Sequence, residues 1–183
     1  MRIRNSKEEY GLISKALHWV IAAIFIGLIV VGWYMVKLSD EDPRYWRLLD
    51  IHQGAGLCLL VLFPMKMAWM VMSPNPPYVP TLATWERGTA TVVRWLFIVA
   101  ILVVPLSGFL FAASTGDPVS IDDLITIPGI GKLSTSTRHW LSNTHYYGAY
   151  GCAMLISLHV LAALKHHFID GNATLRRMIF TRR

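Results

Sequence analysis

Charged side chains are scarce in this sequence. Asp, Glu, Lys and Arg make up 15% of the 183 residues, whereas hydrophobic residues make up 54%. Because an average soluble domain carries about 25% charged residues, the composition excludes an ordinary soluble protein. Four membrane spans would also leave little chain for a soluble catalytic domain. The chain is therefore predicted to lie in a membrane.

Cysteine is rarer still, with two residues, and no covalent haem motif is present. Cys58 and Cys152 both fall inside apolar runs, so we interpret them as small buried hydrophobic residues that carry no information on the redox compartment. The absence of a CxxCH motif excludes c-type haem attachment by that route. The first apolar run is long and has no small-residue cleavage site, so we predict a first membrane span and not a signal peptide.

Four apolar runs are long enough to cross a bilayer: residues 12–36, 51–72, 92–114 and 141–168. A helix rises about 1.5 Å per residue, and the hydrocarbon core is about 30 Å thick. Backbone polar groups in lipid must be satisfied within their own segment. The sequence therefore predicts an all-α, integral membrane four-helix bundle that forms a single domain over residues 1–183.

The distribution of basic residues predicts the orientation of the bundle. The net charge is +6, and most Lys and Arg residues lie on the side that holds both termini, which is therefore predicted to be cytoplasmic. Since these residues flank apolar runs and form no amphipathic face, a nucleic-acid partner is not predicted. The proline-rich connection 73–80 is expected to be an extended strap, and the longest connection, 115–139, is expected to cap the opposite end.

Histidines inside the spans are the main functional candidates, because ionisable side chains are costly in lipid. His145 and His159 share one face of the fourth helix, about 21 Å apart along its axis. Depth in the bilayer pairs His18 with His159 and His52 with His145. Two such pairs suit two haems, each with its iron held axially by two neutral imidazoles.

Small and basic residues near these histidines are secondary candidates. Glycines would let a flat macrocycle approach the backbone, although helix packing explains each of them equally well. The third helix contains Pro105, which is expected to kink it, and no histidine, so it is interpreted as a wall of the haem cavity. The glycines in question are Gly54, Gly56, Gly148 and Gly151.

Three further histidines lie at or beyond the helix ends. His139 is most simply an exposed interfacial residue. His166 and His167 are either solvated or in contact with a haem propionate or a quinone headgroup. Lys66 and Arg94 are candidate partners of propionates or quinone, although positive-inside flanking also explains them.

The sequence resembles the bacterial cytochrome b561 family over nearly its whole length. The most specific motif is the end of the fourth helix, LHVLAALKHHFID at 158–170, which is followed by LRRM at 175–178. The other similar motifs are ALHW at 16–19, IHQGAG at 51–56, PLSG at 105–108 and GDPVS at 116–120.

This resemblance implies a di-haem four-helix bundle of the bacterial inner membrane, with two non-covalent haems b. The ligands of the two haem irons would fall on His18, His52, His145 and His159. It also implies electron exchange with quinone and, in some members, oxidation of periplasmic superoxide with ubiquinone as acceptor. His166 falls at a position associated with quinone. Two positions depart from the family pattern: Lys66 stands where many members have arginine, and Arg94 where many have histidine.

Three functions are compatible with these features. The leading one is a quinone-linked oxidoreductase that takes electrons from a periplasmic donor, superoxide or a redox protein. For superoxide, an outer basic cluster would attract the anion, although acidic residues lie nearby. The alternative is a cytochrome b anchor subunit that links a periplasmic redox enzyme to the quinone pool. A third is a histidine-lined proton or metal transporter without haem. The outer basic cluster that would attract superoxide comprises Arg44, Arg47, Lys132 and Arg138.

Overall fold

The computed structural model describes residues 2–121 and 125–179. Four long helices dominate it, and each is long and apolar enough to cross a membrane. The prediction of a four-helix membrane bundle is thereby confirmed. The helices are α1 Leu12–Met35, α2 Pro43–Met72, α3 Thr84–Ala113 and α4 Thr135–Leu164.

Helices α2, α3 and α4 begin earlier than the apolar runs that predicted them. In α2, Pro43 takes the first position, and the carboxylate of Asp42 accepts a hydrogen bond from the backbone N–H of Arg44 at 2.9 Å. In α4, the hydroxyl of Ser134 accepts from the N–H of Thr137 at 3.2 Å. Such caps satisfy the first N–H groups of a helix. The polar first turns are therefore helical although hydropathy does not mark them.

The bundle closes on itself, because each helix packs against the next and α4 also contacts α1. All four helices contribute to one buried core, in which Leu59 is completely inaccessible. The outer faces carry large exposed apolar side chains such as Val61 and Trp95, as expected of helices that face lipid. The core consists of Ile21, Phe25, Leu28, Leu59, Ile101, Val104 and Cys152.

The terminal end, by which we mean the end of the bundle that holds both termini, is joined by hydrogen bonds between distant segments. The backbone N–H and the amide of Asn5 donate to the hydroxyl and the carbonyl of Ser73 at 2.9 and 2.8 Å. The indole of Trp19 donates to the carbonyl of Met178 at 3.0 Å. The connection 73–80 contains no helix or strand, in agreement with the prediction that it is too rich in proline for a helix. The hydrogen bonds of Asn5 attach it to the N-terminal segment.

The hairpin end is the opposite end of the bundle, where strands β1 Val119–Ile121 and β2 Ile125–Ile127 pair antiparallel. A Cβ added to Gly54 of α2 would lie 3.2 Å from Cγ2 of Ile121. The hairpin therefore packs directly on α2. The connection is shorter than the predicted 115–139, because α4 starts earlier than its apolar run.

We expect Leu59→Ala to destabilise the bundle by about 2–5 kcal/mol, since it opens a cavity in a core to which all four helices contribute. The measurement is the unfolding of the purified holoprotein in detergent. The matched control is Val61→Ala on the same helix, where the side chain is 62% exposed. Equal loss of stability in both variants would contradict the assigned core.

Candidate haem-binding sites

The first imidazole pair lies toward the terminal end and joins α1 to α4. The ring centroids of His18 and His159 are 6.5 Å apart, with an interplanar angle of 63°. An aromatic ring packs edge-on against each of them: Trp19 at 5.2 Å from His18, and Phe97 at 5.3 Å from His159. Residues from α1, α3 and α4 thus define this pair.

The second imidazole pair lies toward the hairpin end and joins α2 to α4. The ring centroids of His52 and His145 are 5.8 Å apart, with an interplanar angle of 84°. Each ring lies against a glycine of a neighbouring helix. A Cβ on Gly32 would lie 3.2 Å from Cε1 of His52, and a Cβ on Gly108 would lie 2.6 Å from Nδ1 of His145. Both glycines therefore allow an approach that a side chain would obstruct.

Both separations fit an iron held between two imidazoles. Metal–imidazole bonds of about 2 Å place the centroids of two facing rings about 6 Å apart. The observed 6.5 and 5.8 Å lie on either side of that value. The structure brings together the same pairs that depth along the helices suggests.

The two imidazole rings of the second pair differ from each other in their hydrogen bonds. Nδ1 of His145 lies 2.8 Å from the carbonyl oxygen of Val104. Because a carbonyl only accepts, Nδ1 carries the proton, and Nε2 is the nitrogen free to bind a metal. Nδ1 of His52 is buried and has no hydrogen-bond partner among residues 2–121 and 125–179.

The four glycines singled out in the sequence divide into two groups. A Cβ on Gly148 would lie 2.9 Å from Cγ2 of Val104, so this glycine serves the packing of α4 on α3. Gly54 likewise serves the packing of the hairpin. A Cβ on Gly56 or Gly151 would meet no atom within 4 Å of the described residues. Only these last two border open space of the kind that a macrocycle could enter.

The remaining candidate residues lie at three separate points of the terminal end. Lys66 is near enough to His18 for its positive charge to act on the imidazole. Arg94 donates to the hydroxyl of Tyr78 at 3.0 Å, with its guanidinium carbon 5.4 Å from the ring centroid. His166 lies beside Asp170, at the end of α4. In the part of the chain that the structure describes, no hydrogen bond or ion pair joins Lys66, Arg94 and His166 to one another.

His166 belongs to an ion-pair network that the sequence did not reveal. The ammonium of Lys165 lies 2.7 Å from Glu86 and 2.9 Å from Asp170, and Nδ1 of His166 lies 2.7 Å from the same Asp170 oxygen. These contacts hold the pKa of the Asp170 carboxyl below its usual range, Lys165 having the larger effect. Ligand atoms of Glu86, His166 and Asp170 lie within 4.8 Å of one another, but the Lys165 ammonium already supplies the positive charge they attract.

The local backbone explains how these side chains converge. Lys165–Ile169 forms a π-helix at the end of α4, with the N–H of Asp170 donating to the carbonyl of Lys165 at 3.1 Å. Such wide turns often mark functional sites. The basic residues were visible in the sequence, but Glu86 comes from α3, and no local pattern indicates its approach.

A small cavity at the terminal end was also missed. It has a volume of about 80 Å³, and Tyr10, Tyr78, Thr174 and Arg177 are among the residues that line it. Burial raises the pKa of the Tyr10 hydroxyl. The hydroxyl of Thr174 is buried without a hydrogen-bond partner among the described residues. Since Tyr78 also binds Arg94, the cavity extends the surroundings of that arginine.

Comparison with known proteins gives consistent results over nearly the whole chain. The family described as prokaryotic cytochrome b561 matches residues 9–181. Cytochrome b561 homolog 2 of Escherichia coli (strain K12) is 30% identical over 179 residues, which cover 98% of this chain and 95% of that protein. The probable superoxide oxidase CybB of Yersinia pestis is 26% identical, with 94% and 96% covered. Cytochrome b561 homolog 1 of Escherichia coli (strain K12) is 25% identical, with 89% and 92% covered.

We expect Lys165→Met to loosen the segment 165–179, because it removes the two ion pairs that Lys165 makes with Glu86 and Asp170. Backbone hydrogen exchange of this segment should become several-fold faster. Since the folded-state pKa of Asp170 is lowered, its contribution is present above the usual carboxyl pKa of 3.8 and is lost as the pH falls below it. Protection in the wild type should therefore decline in acid.

The control for this experiment is Arg176→Met in the exposed first turn of α5 (Arg176–Ile179). It removes one positive charge from the same segment without touching the network. Faster exchange in both variants would mean that net charge, and not the Lys165 contacts, protects the segment.

Proposed function

Because this chain belongs to the prokaryotic cytochrome b561 family, whose members bind haem b and transfer electrons in bacterial membranes, we propose that it is a di-haem, quinone-linked oxidoreductase. Electrons would enter at the hairpin end and leave to a quinone at the terminal end. The observation that carries this proposal is the presence of one facing imidazole pair toward each end of the bundle.

In this proposal each imidazole pair holds one haem. His52 and His145 bind the haem at the hairpin end, and His18 and His159 bind the one at the terminal end. Bound haem supplies one-electron chemistry, and the protein sets its potential through the ligands and their surroundings. The rings are held by features already described: aromatic contacts in the terminal-end pair, and glycine contacts with one backbone hydrogen bond in the hairpin-end pair.

The apolar core lies between the two pairs. Leu59 and Cys152, both buried, are each seven residues from a histidine of the hairpin-end pair on their own helix, and Cys152 is midway between His145 and His159. The two α4 histidines are about 21 Å apart along the axis. This layer excludes water between the two sites. Two haems held at these depths would divide the crossing of the bilayer into shorter electron-transfer steps.

The charge distribution supports a cytoplasmic terminal end and a periplasmic hairpin end in the bacterial inner membrane. Superoxide is then a suitable donor, in line with the relative named a probable superoxide oxidase. Arg138 is one candidate among the outer basic residues: it lies two turns before His145 on α4, with its guanidinium carbon 5.6 Å from the ring centroid of Phe111. Arg44 is less suited, because Asp42 binds it at 2.6 Å.

Ubiquinone or another quinone is the proposed acceptor. Two superoxide anions would each lose one electron and become O2, and the quinone would take up both electrons and two protons to become quinol. His166 is suited to contact the quinone headgroup, since Asp170 engages its Nδ1 and leaves Nε2 available. Arg94 is a second candidate contact, beside the cavity that Tyr78 lines. Lys66 is placed near His18, where it suits a haem propionate.

The haem assignment is tested by titrating haem in purified single His→Ala variants. Wild type should hold two low-spin haems b per chain. His52→Ala and His145→Ala should each deplete the hairpin-end haem, and His18→Ala and His159→Ala the other. His139→Ala changes an exposed histidine near the start of α4; it is the control and should retain both haems. A wild-type protein without haem, despite an adequate supply, would overturn the proposal and favour proton or metal transport.

The oxidoreductase activity is tested by supplying superoxide to the holoprotein in liposomes that contain ubiquinone. Quinol should form with about half the stoichiometry of the superoxide consumed. Haem reduction by quinol without any reaction of superoxide, together with co-purification of a periplasmic redox enzyme, would instead identify an anchor subunit.

We expect His166→Gln to weaken use of the quinone several-fold, seen as a higher KM for quinone with both haems retained. The matched control is His139→Gln at the other end of α4. An unchanged KM in His166→Gln would exclude His166 as a quinone contact, and the same measurement on Arg94→Gln would then test the surroundings of the Tyr78 cavity.

A further inference from the structure

Helix α3 carries no histidine, yet its backbone makes the most specific contact of the hairpin-end pair. The contact lies where the helix contains Pro105, Ser107 and Gly108. Helix α3 is continuous through this stretch, and the carbonyl of Val104 lies within hydrogen-bonding distance of His145 on α4.

Gly108 is what allows the imidazole to come so close. A Cβ at this position would lie 2.6 Å from Nδ1, 2.7 Å from Cε1 and 3.3 Å from Cγ of His145. These distances are shorter than van der Waals contact, and three ring atoms are involved. Any side chain at position 108 would therefore push the ring away from the Val104 carbonyl.

The Val104 carbonyl is shared between two side-chain donors. Nδ1–H of His145 donates to it at 2.8 Å, and the hydroxyl of Ser107 also donates to it at 2.8 Å. Val104 and Ser107 are 7% and 4% exposed. Hydrogen bonds are stronger in such a dry environment than in water. The oxygen has two lone pairs and accepts both bonds. Each donor withdraws electron density from the oxygen, so the Ser107 bond weakens the one that the carbonyl makes with the imidazole.

This arrangement distinguishes His145 from His52, the other half of the pair. Nδ1 of His52 has no hydrogen-bond partner in the described residues and lies against the helix of Gly32. A hydrogen bond from the far nitrogen of an imidazole fixes its tautomer and makes the metal-binding nitrogen more basic. The metal-binding nitrogen of His145 is therefore more basic than that of His52.

We propose that the Val104 carbonyl is the positioning group of the hairpin-end haem, which Gly108 makes accessible to His145 and whose strength Ser107 moderates. A more basic ligand favours the oxidised, more highly charged iron, so this bond lowers the potential of the hairpin-end haem. The inference rests on the proposed haem placement, and it adds a specific means by which α3 tunes one of the two sites.

The decisive variant is Ser107→Ala, which removes the second donor and adds no atoms. The Val104 carbonyl should then bind His145 more strongly, and redox titration of the holoprotein should show a lower potential for the hairpin-end haem only. The low-spin electron paramagnetic resonance signal of that haem should shift as well. The control is Thr89→Val near the start of α3, where the hydroxyl donates to the carbonyl of Trp85 at 3.0 Å but is remote from either pair.

A second variant, Gly108→Ala, should act in the opposite direction. The added methyl group displaces the ring, so the hairpin-end haem should show a higher potential. Its control is Gly88→Ala on the same helix, where an added Cβ meets nothing within 4 Å. If Gly108→Ala loses that haem entirely, Ser107→Ala still decides the question.

The outcomes separate this inference from the haem placement itself. If His145→Ala retains both haems, the placement is wrong and the inference fails with it. If His145→Ala loses one haem but the potential of that haem in Ser107→Ala equals that in wild type, the placement stands and the role of the Val104 carbonyl is refuted. A lower potential confined to that haem, with Thr89→Val unchanged, supports it.

Discussion

The rest of the structure is arranged around two close contacts between histidine side chains of different helices. A polar side chain in lipid requires a partner, because hydrocarbon offers no water to replace it. Each pair takes one histidine from α4 and one from α1 or α2, at 6.5 and 5.8 Å between ring centroids. The glycines and aromatic rings beside them, and the apolar layer between the two pairs, are arranged around these two contacts.

Helix α3 shows how a helix without ligands can still shape a site. Its side chains supply part of the core and one aromatic neighbour, Phe97, for the terminal-end pair. At the other end its backbone serves instead, since Gly108 exposes the carbonyl of Val104 to His145. The sequence pattern described this helix as a wall, and the structure adds that the wall is in direct polar contact with one candidate ligand.

The two ends of the bundle differ in how they are built. The hairpin end is covered by a short β-hairpin that packs on Gly54. The terminal end is held by hydrogen bonds among the N-terminal segment, the connection 73–80 and the C-terminal segment. It also contains the network of Lys165, Glu86 and Asp170 around a π-helix. Charge and hydrogen bonding are concentrated at the terminal end, where the proposed function places the quinone, and the hairpin end has a simpler cover.

The sequence by itself determined the four spans and the depth of each histidine, because hydropathy and the helical rise depend only on the order of residues. It also indicated that the connection 73–80 is not helical. The early starts of three helices escaped hydropathy, since they rest on capping by residues such as Asp42 and Ser134. Contacts between helices were decided only by the tertiary structure: Val104 with His145, and Glu86 with Lys165. Such contacts depend on the rotation and closeness of neighbouring helices, which no periodicity within one helix encodes.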